Sequence, residues 1–364
     1  MSKEQDGGRQ ETSTRELLNK GDGDATMKTR DATIPPHLLD HVVNGNCLRL
    51  LKEIPGKSVD LVVSSPPYNV GKEYESKTTL EEYLQQQTEI LTECVRTLKK
   101  TGSIFWQVGT YVDSHRHIPL DLKVFPILES MGLYLRNRIV WIRPHGLHAT
   151  RKFSGRHETM LWFVKDDDYK FFLDPIRVPQ KYPDKKHFKG DRHGELSCDP
   201  MGKNPGDVWA FRNVRHNHEE QTIHPAQFPE DMIERIVLST TSSGDVVLDP
   251  YMGVGTVAVV CQRWNRHFLG AELSEAYHQV AEQRLAGTPD KNGRFPNLRT
   301  LREHAERQGI ADVSAFSFTR QVGERATTRK QAKIHPEQLH LDLIIKQTEG
   351  EAANPAYRRF ATGE

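Results

Sequence analysis

The stretch VVLDPYMGVGTV, Val246 to Val257, decides the fold because it joins a strand, a glycine turn and the start of a helix. The strand ends at Asp249, and Gly253 and Gly255 let a ligand approach the backbone and the N–H groups of the helix N-terminus. The next strand, HFLGAEL, presents Glu272, 19 residues after Gly253. An acid at about this distance binds ribose hydroxyls. The stretch predicts a nucleoside site, with a tight structural turn and a surface glutamate as the alternative.

Strands and helices alternate on both sides of this stretch, which predicts a doubly wound, mostly parallel α/β sheet. The predicted strands are HVV, VDLVV, SIFWQVG, RNRIVWIRP, ETMLWFVKD, DVVLD and HFLGAEL. Helical spacing in TLEEYLQQQTEILTECVRTLKK predicts a helix that is capped by Gly102. A further helix is predicted over DLKVFPILESMGLYL despite Pro126.

Composition divides the chain into three regions. Residues 1–33 are polar and glycine-rich and predict a disordered arm, and residues 288–364 predict a charged, mostly extended tail. Residues 34–287 carry the ordered pattern and form the predicted domain. Within them, residues 171–222 are rich in Pro, Gly, His and Lys, which predicts an irregular insert with a function of its own.

Charge and cysteine content exclude several classes of protein. The net charge is +1, so a nucleic-acid surface must be a local patch. The four cysteines include no C-x-x-C pair, which indicates separate thiols in a reducing compartment. Because the chain has no membrane-spanning run and no secretory signal, it is predicted to be soluble and intracellular.

A second unusual turn follows the predicted strand VDLVV and consists of Ser65, Pro66, Pro67 and Tyr68. Ligands of parallel sheets bind beyond the carboxyl ends of strands, so this turn and the glycine turn are expected to face one crevice. Prolines stiffen the turn and lack N–H groups, and the serine adds a hydroxyl oxygen. The Ser65 hydroxyl and the Pro66 carbonyl could accept both hydrogens of an exocyclic amine while the ring stacks on Tyr68. A plain structural turn is the alternative.

Together, SPPY and the later DPYMGVGTV resemble the amino-methyltransferases of DNA, which use S-adenosylmethionine to methylate cytosine N4 or adenine N6. Two more segments are similar to blocks of that family: NGNCLRLLKEIPGKSVDLVVSSPPYN and TIHPAQFPEDMIERIVLST. The resemblance covers about Val42 to Leu285, and the order of the motifs is similar to the permuted beta group. It implies that residues 34–287 form a methyltransferase domain with a seven-stranded-type, Rossmann-like sheet.

The resemblance also implies the roles of site residues. The catalytic residues would be Ser65, Pro66, Pro67 and Tyr68. Those binding S-adenosylmethionine would be Asp249, Pro250, Tyr251, Gly253, Gly255, Thr256, Glu272, His224, Pro225 and Asn46. No metal and no cysteine nucleophile is expected, because the amine can attack the methyl group directly. Three positions depart from the usual pattern: Tyr251 stands for Phe, Val257 for Thr, and Asn46 for an acid.

Contact with DNA is predicted for the insert. Residues 177–215 hold nine Lys/Arg against five Asp/Glu, with aromatic side chains between them. The predicted DNA-binding residues are Lys181, Lys185, Lys186, Lys189 and Arg192, and a solvated surface loop is the alternative. The expected partner is double-stranded DNA, with the target base flipped out of the duplex, and no membrane is expected. A homodimer and a restriction endonuclease partner are left open, and a bacterial protein of this kind would be cytoplasmic and nucleoid-associated.

The target base is predicted from Ser65, because an acid is commoner at this position in adenine N6 enzymes. A site-specific cytosine N4 methyltransferase is therefore expected, with adenine N6 methylation as the alternative. The order of the motifs and the basic insert disfavour an RNA or protein-amide methyltransferase. The intact motifs disfavour a catalytically silent DNA-binding protein.

Overall fold

The computed structural model describes residues 33–69, 71, 77–113, 116–143, 148–215, 218 and 220–287. They belong to the unit of the chain that begins at Thr33. Apart from residue 33, the predicted arm and the predicted tail, residues 288–364, lie outside the described residues.

The described residues form strands and helices in alternation. The strands are β1 His41–Asn44, β2 Val59–Ser64, β3 Leu98–Val108, β4 Thr110–Asp113, β5 Arg116–Pro119, β6 Tyr134–Ile142, β7 His157–Val164, β8 Val208–Trp209, β9 Val246–Asp249 and β10 His267–Glu272. The helices are α1 Cys47–Glu53, α2 Leu80–Thr97, α3 Asp121–Ser130, α4 Glu230–Thr240, α5 Thr256–Arg263 and α6 Glu275–Leu285. Among these described helices, none combines the length and the apolar character needed to cross a membrane.

The main sheet has the strand order β1-β10-β9-β2-β3-β7-β6-β8, and β4 and β5 form a separate hairpin. The pairs among β1, β10, β9, β2 and β3 are parallel, whereas β7 is antiparallel to both β3 and β6. The short strand β8 is parallel to β6. The prediction of a mostly parallel α/β sheet is confirmed.

Helices cover both faces of this sheet, as a doubly wound fold requires. Alternate side chains of β2 enter different cores: Leu61 and Val63 pack with α4, α5 and α6, while Val62 packs with α1, α2 and α3. This two-sided burial explains why VDLVV is a continuous apolar run rather than an alternating one.

The direction in which successive strands are added to the sheet reverses between β9 and β2. These strands are parallel neighbours, with Leu61 opposite Val247 and Val62 opposite Leu248. From β2 the chain continues to β3 on one side, and from β9 it continues to β10 on the other. Such a reversal leaves a crevice at the carboxyl ends of the two strands. The turn after β2 and the glycine turn after β9 both begin there.

Two predicted helix boundaries were wrong, and the short strands β4, β5 and β8 were missed. Helix α2 ends at Thr97, and Gly102 lies inside β3 rather than at a helix cap. A Cβ on Gly102 would lie 2.8 Å from the Asp60 carbonyl oxygen, so the glycine serves close packing with β2. Helix α3 ends at Ser130, and Tyr134 already begins β6. The hairpin of β4 and β5 was not predicted.

Candidate active site

A cavity of about 1550 Å³ opens at the carboxyl ends of β2 and β9. The fourteen residues with predicted catalytic or cofactor-binding roles are all described, and thirteen of them line this cavity, Gly255 being the exception. The expectation that the two turns face one crevice is therefore confirmed. The cavity has two ends, which are defined here by the glycine turn and by the Ser65–Tyr68 turn.

A buried hydrogen bond joins the two turns. The Ser64 hydroxyl donates to Asp249 Oδ1 at 2.5 Å, and the Tyr251 N–H donates to the same oxygen at 3.0 Å. Asp249 is only 2% exposed, and this burial raises the pKa of its carboxyl to about 7, against the opposing effect of the two donors. Asp249 thus fixes the distance between the turns. The sequence analysis overlooked Ser64, although it is the first polar residue after an apolar strand.

Glu272 supports the glycine turn directly. One carboxylate oxygen accepts from the Gly253 N–H at 2.8 Å and the other accepts from the Ser274 N–H at 2.8 Å. Burial raises the pKa of Glu272, and these backbone donors oppose the rise. Gly253 has a φ of +58°, which favours glycine. Each carboxylate oxygen keeps a second lone pair that can accept a ribose hydroxyl.

Gly255 has a packing role and lies behind the cavity. Its φ is +78°, and a Cβ there would lie 2.9 Å from the Ala281 Cβ on α6. The glycine therefore lets α6 approach the first turn of α5, which begins at Thr256.

His224 and Pro225 line the cavity beside the glycine turn. The His224 ring packs edge-on against Tyr277, with ring centroids 4.6 Å apart. Its Nδ1 accepts from the Ala226 N–H at 3.1 Å, and a Cβ on Gly253 would lie 3.8 Å from the ring. The ring is thereby fixed against the glycine turn.

Asn46 is held by a local interaction. It caps α1, because its Oδ1 accepts from the Leu48 N–H at 2.8 Å. This cap engages the side-chain oxygen of a residue that is predicted to bind S-adenosylmethionine. The neighbouring Cys47 also lines the cavity, and burial raises the pKa of its thiol to about 11. At neutral pH this thiol is protonated, which does not favour a cysteine nucleophile.

The Ser65–Tyr68 turn is linked to a residue that the sequence analysis missed. The Ser65 and Tyr68 hydroxyl oxygens lie 3.0 Å apart, and the Tyr68 hydroxyl donates to Glu158 Oε2 at 3.3 Å. Burial, followed by the negative charge of Glu158, raises the pKa of Tyr68 well above its ordinary value. The tyrosine ring packs on Gly109, where a Cβ would lie 2.8 Å from a ring carbon.

Two further donors contact Glu158 at this end of the cavity. Arg143 Nη1 lies 2.7 Å from Glu158 Oε1, and Gln107 Nε2 donates to Oε2. The available sequence signals were polar residues in apolar strands: Gln107 in SIFWQVG and Glu158 at the start of ETMLWFV.

A further set of basic side chains, called here the basic rim, lines the cavity; none of them is among the five predicted DNA-binding residues, although Arg215 lies in the predicted DNA-contact segment 177–215. We define the rim as the cavity-lining residues His117, Arg143, His148, Lys152, His157 and Arg215. The exposed ring of Phe153 lies beside Lys152. These side chains come from β5 and β7 and from loops that flank β6, β7 and β8.

The predicted DNA-binding residues lie elsewhere on the domain. Two antiparallel bridges, Val178 with Lys203 and Lys186 with Leu196, organise residues 178–203 as an irregular ribbon. The five predicted residues are exposed on this ribbon but do not line the cavity. Arg192 is also paired with Glu195, at 3.0 Å. Within the described ranges, no three His, Cys, Asp or Glu side chains are placed to hold a metal ion.

Comparison with known proteins gives consistent matches. A family model described as DNA methylase matches residues 59–283. The type II methyltransferase M.BglII of Bacillus subtilis is 59% identical over 330 residues, which cover 90% of this chain and 91% of that protein. The DNA adenine methyltransferase YhdJ of Escherichia coli (strain K12) is 33% identical over 252 residues, which cover 67% of this chain and 82% of that protein.

Among solved structures, the cytosine-N4-specific PvuII DNA methyltransferase matches with a TM-score of 0.54. The match covers 78% of this chain and 95% of that chain at 17% identity, so it shows a shared fold alone. An adenine methyltransferase is thus among the relatives, and a cytosine-N4-specific enzyme is among the structural neighbours. They leave the target base open.

Proposed function

We propose that this chain, which belongs to the S-adenosylmethionine-dependent DNA amino-methyltransferase family, methylates the N4 amine of cytosine in duplex DNA. The family match over residues 59–283 and the identity to M.BglII support S-adenosylmethionine as the cofactor and DNA as the substrate. The target base is the proposed part. The observation that supports it is a hydroxyl, that of Ser65, at a position where adenine N6 enzymes more often have an acid.

The donor set at the glycine-turn end of the cavity fits S-adenosylmethionine. Glu272 offers carboxylate oxygens to the ribose, and Gly253 lets the ligand approach the backbone without a Cβ. When bound, the cofactor supplies a methyl group on a sulfonium that leaves as a neutral thioether. We assign the remaining walls of this site to Asn46, His224, Pro225, Asp249, Pro250, Tyr251 and Thr256, with Gly255 supporting them from behind.

The other end of the cavity would hold the flipped base. Tyr68 lines the cavity and packs against Gly109, and we assign to its ring the role of stacking on the base. The Ser65 hydroxyl and the Pro66 carbonyl would accept the two hydrogens of the amine, and Pro67 would keep the turn rigid. These two acceptors hold the amine for in-line attack and stabilise the positive charge that develops on its nitrogen.

The basic rim is proposed to contact the DNA backbone around the flipped nucleotide, because its side chains line the cavity that would receive this nucleotide. The ribbon is proposed to reach more distant phosphates and to contribute to recognition of the sequence. The five predicted DNA-binding side chains of the ribbon lie outside the cavity, so they would act on DNA affinity and not on the chemical step.

The experiment that tests the target base uses a host without DNA methylation of its own. The chain is expressed there, the DNA is hydrolysed, and the modified nucleosides are identified by mass spectrometry. N4-methylcytosine is expected, and the same host without the gene is the control. N6-methyladenine instead would overturn the proposal in favour of the second candidate, which the identity to YhdJ supports. Sequencing of the modified DNA would then give the recognition site.

A further inference from the structure

We propose that Glu158 is a positioning residue that fixes the direction of the hydrogen bonds around the target amine. Its carboxylate would turn the Ser65–Tyr68 pair so that the Ser65 hydroxyl presents lone pairs to the cavity. The inference rests on the proposed function in one respect, namely that the target is an exocyclic amine. It applies equally to cytosine N4 and to adenine N6.

Donors from three parts of the chain converge on this one carboxylate. Arg143 follows β6 and lies 2.7 Å from Oε1, Gln107 lies on β3 and donates to Oε2, and Tyr68 donates to Oε2 at 3.3 Å. The Glu158 side chain is only 12% exposed. An ionised carboxylate has no hydrogen to donate, so every neighbour in this cluster must point a hydrogen towards it.

This constraint passes from Glu158 to Ser65. Because the Tyr68 hydrogen is used on Glu158, the tyrosine oxygen is free to accept the hydrogen of Ser65, 3.0 Å away. The Ser65 lone pairs then face the cavity and can accept a hydrogen of the amine. In the reverse direction Tyr68 would donate to Ser65, and the serine hydrogen would meet the hydrogens of the amine. The carboxylate selects the productive direction.

Glu158 imposes the same direction on Gln107. The Gln107 NH₂ group must face the carboxylate, which leaves Oε1 as the other end of the amide. That oxygen is buried and has no donor among the described residues, although Gln107 lines the cavity. Gln107 therefore helps to hold the carboxylate in place, and the acceptor that Glu158 directs to the cavity is that of Ser65.

The test compares Glu158→Gln, Tyr68→Phe and the double variant with the wild type. The readout is the single-turnover rate of methyl transfer to unmethylated genomic DNA, because this rate isolates the chemical step. Glu158→Gln gives Tyr68 and Gln107 a group that can donate, and Tyr68→Phe cuts the connection to Ser65 while it keeps the ring. Each single variant is expected to slow transfer by about 10-fold or more, with cofactor and DNA affinity within about twofold of the wild type.

The double variant separates this role from a structural one. If Glu158 acts through Tyr68, then Glu158→Gln should have little further effect once the tyrosine hydroxyl is gone. Independent effects would multiply, and that result would overturn the proposal. An unchanged rate in Tyr68→Phe would also overturn it. This variant removes only one hydroxyl, so it tests the proposal even if Glu158→Gln does not fold.

Asp121→Asn is the matched control. Asp121 is a buried acid, and Arg138 of β6 lies 2.5 Å from it, but it does not line the cavity. This variant is expected to lose stability and to keep the wild-type rate for each folded molecule. If the wild type makes N6-methyladenine, the proposed target base fails while the role of Glu158 can still be tested. If the wild type methylates no amine, the proposed function fails before any variant is compared.

Discussion

Glu272→Gln should weaken cofactor binding, because the structure gives the two carboxylate oxygens separate tasks. Oε2 accepts from the Gly253 N–H and Oε1 accepts from the Ser274 N–H, each at 2.8 Å. A glutamine offers only one oxygen, so one of these N–H groups would face an NH₂ group. Any ribose hydroxyl that donates to the carboxylate would lose a charged acceptor as well.

The size of the effect follows from the loss of one charge-assisted hydrogen bond, about 1.5–3 kcal/mol. This range corresponds to a dissociation constant that is about 10 to 150 times higher. The free energy of unfolding without cofactor should also fall, because the Gly253 turn loses part of its support. A change in cofactor affinity alone cannot separate the contact with ribose from this effect on the turn.

Calorimetric titration with S-adenosylhomocysteine and with its 2′-deoxy analogue makes the separation. The wild type should bind the deoxy analogue more weakly, and Glu272→Gln should lose most of that discrimination. Glu275→Gln is the control, since it removes the same charge at the start of α6 but contacts Asn44 rather than the glycine turn. If Glu272→Gln still discriminates as the wild type does, Glu272 does not bind the ribose hydroxyls.

Four further predictions concern other parts of the protein. Ser65→Ala should reduce the single-turnover rate more than DNA affinity, because its hydrogen bond strengthens as charge develops on the amine. Tyr68→Ala should reduce both the rate and the fluorescence change of 2-aminopurine at the target base, since stacking contributes about 1–3 kcal/mol; wild-type rates in both variants would place the catalytic site elsewhere. Replacing the ribbon lysines should weaken DNA binding and flatten its salt dependence without changing cofactor affinity, and an unchanged salt slope would exclude the ribbon from the DNA interface. The lysines to replace are Lys181, Lys185, Lys186 and Lys189. Asp249→Asn should alter how stability depends on pH. The pKa of Asp249 is about 7 in the folded protein, above its ordinary value of 3.8, so the folded state binds more protons between these values. The free energy of unfolding of the wild type should therefore fall between pH 5 and 7.5 by about 2.5 kcal/mol more than that of the variant, as measured by urea unfolding; parallel pH profiles would contradict the raised pKa.

The sequence predicted those features of the site that depend on local chemistry. The glycine turn and the Ser65–Tyr68 turn each follow a buried strand, and parallel strands place their carboxyl ends at one edge of the sheet. Their meeting in one cavity could therefore be predicted without coordinates. The error at Gly102 has a different origin, because a glycine after a helical pattern suggests a cap. Here the glycine is required by the carbonyl of Asp60 on the neighbouring strand.

The features that were missed depend on contacts between distant parts of the chain. Glu158 meets Tyr68 across 90 residues and Gln107 across 51. The rim likewise combines segments that are separated in the sequence. Composition drew attention to the insert because its basic residues lie close together in the sequence, whereas the basic side chains that line the cavity are dispersed. The sequence alone could not show which of these two sets of basic residues lies at the cavity, because the position of the cavity depends on the fold of the sheet.

The two consecutive serines at the carboxyl end of β2, Ser64 within the strand and Ser65 directly after it, have different roles. Ser64 is fully buried and ties its turn to Asp249, 185 residues away in the sequence. Ser65 has turned to the other side and lines the cavity beside Tyr68. Because successive side chains of a strand point in opposite directions, the first serine can fix the turn while the second contacts a ligand. Pro66 and Pro67 follow and restrict the backbone of the turn. The sequence SSPPY therefore combines a structural hydrogen bond and a ligand-facing acceptor within two residues, and the short bond at Ser64 is what keeps the acceptor of Ser65 at a fixed distance from the glycine turn.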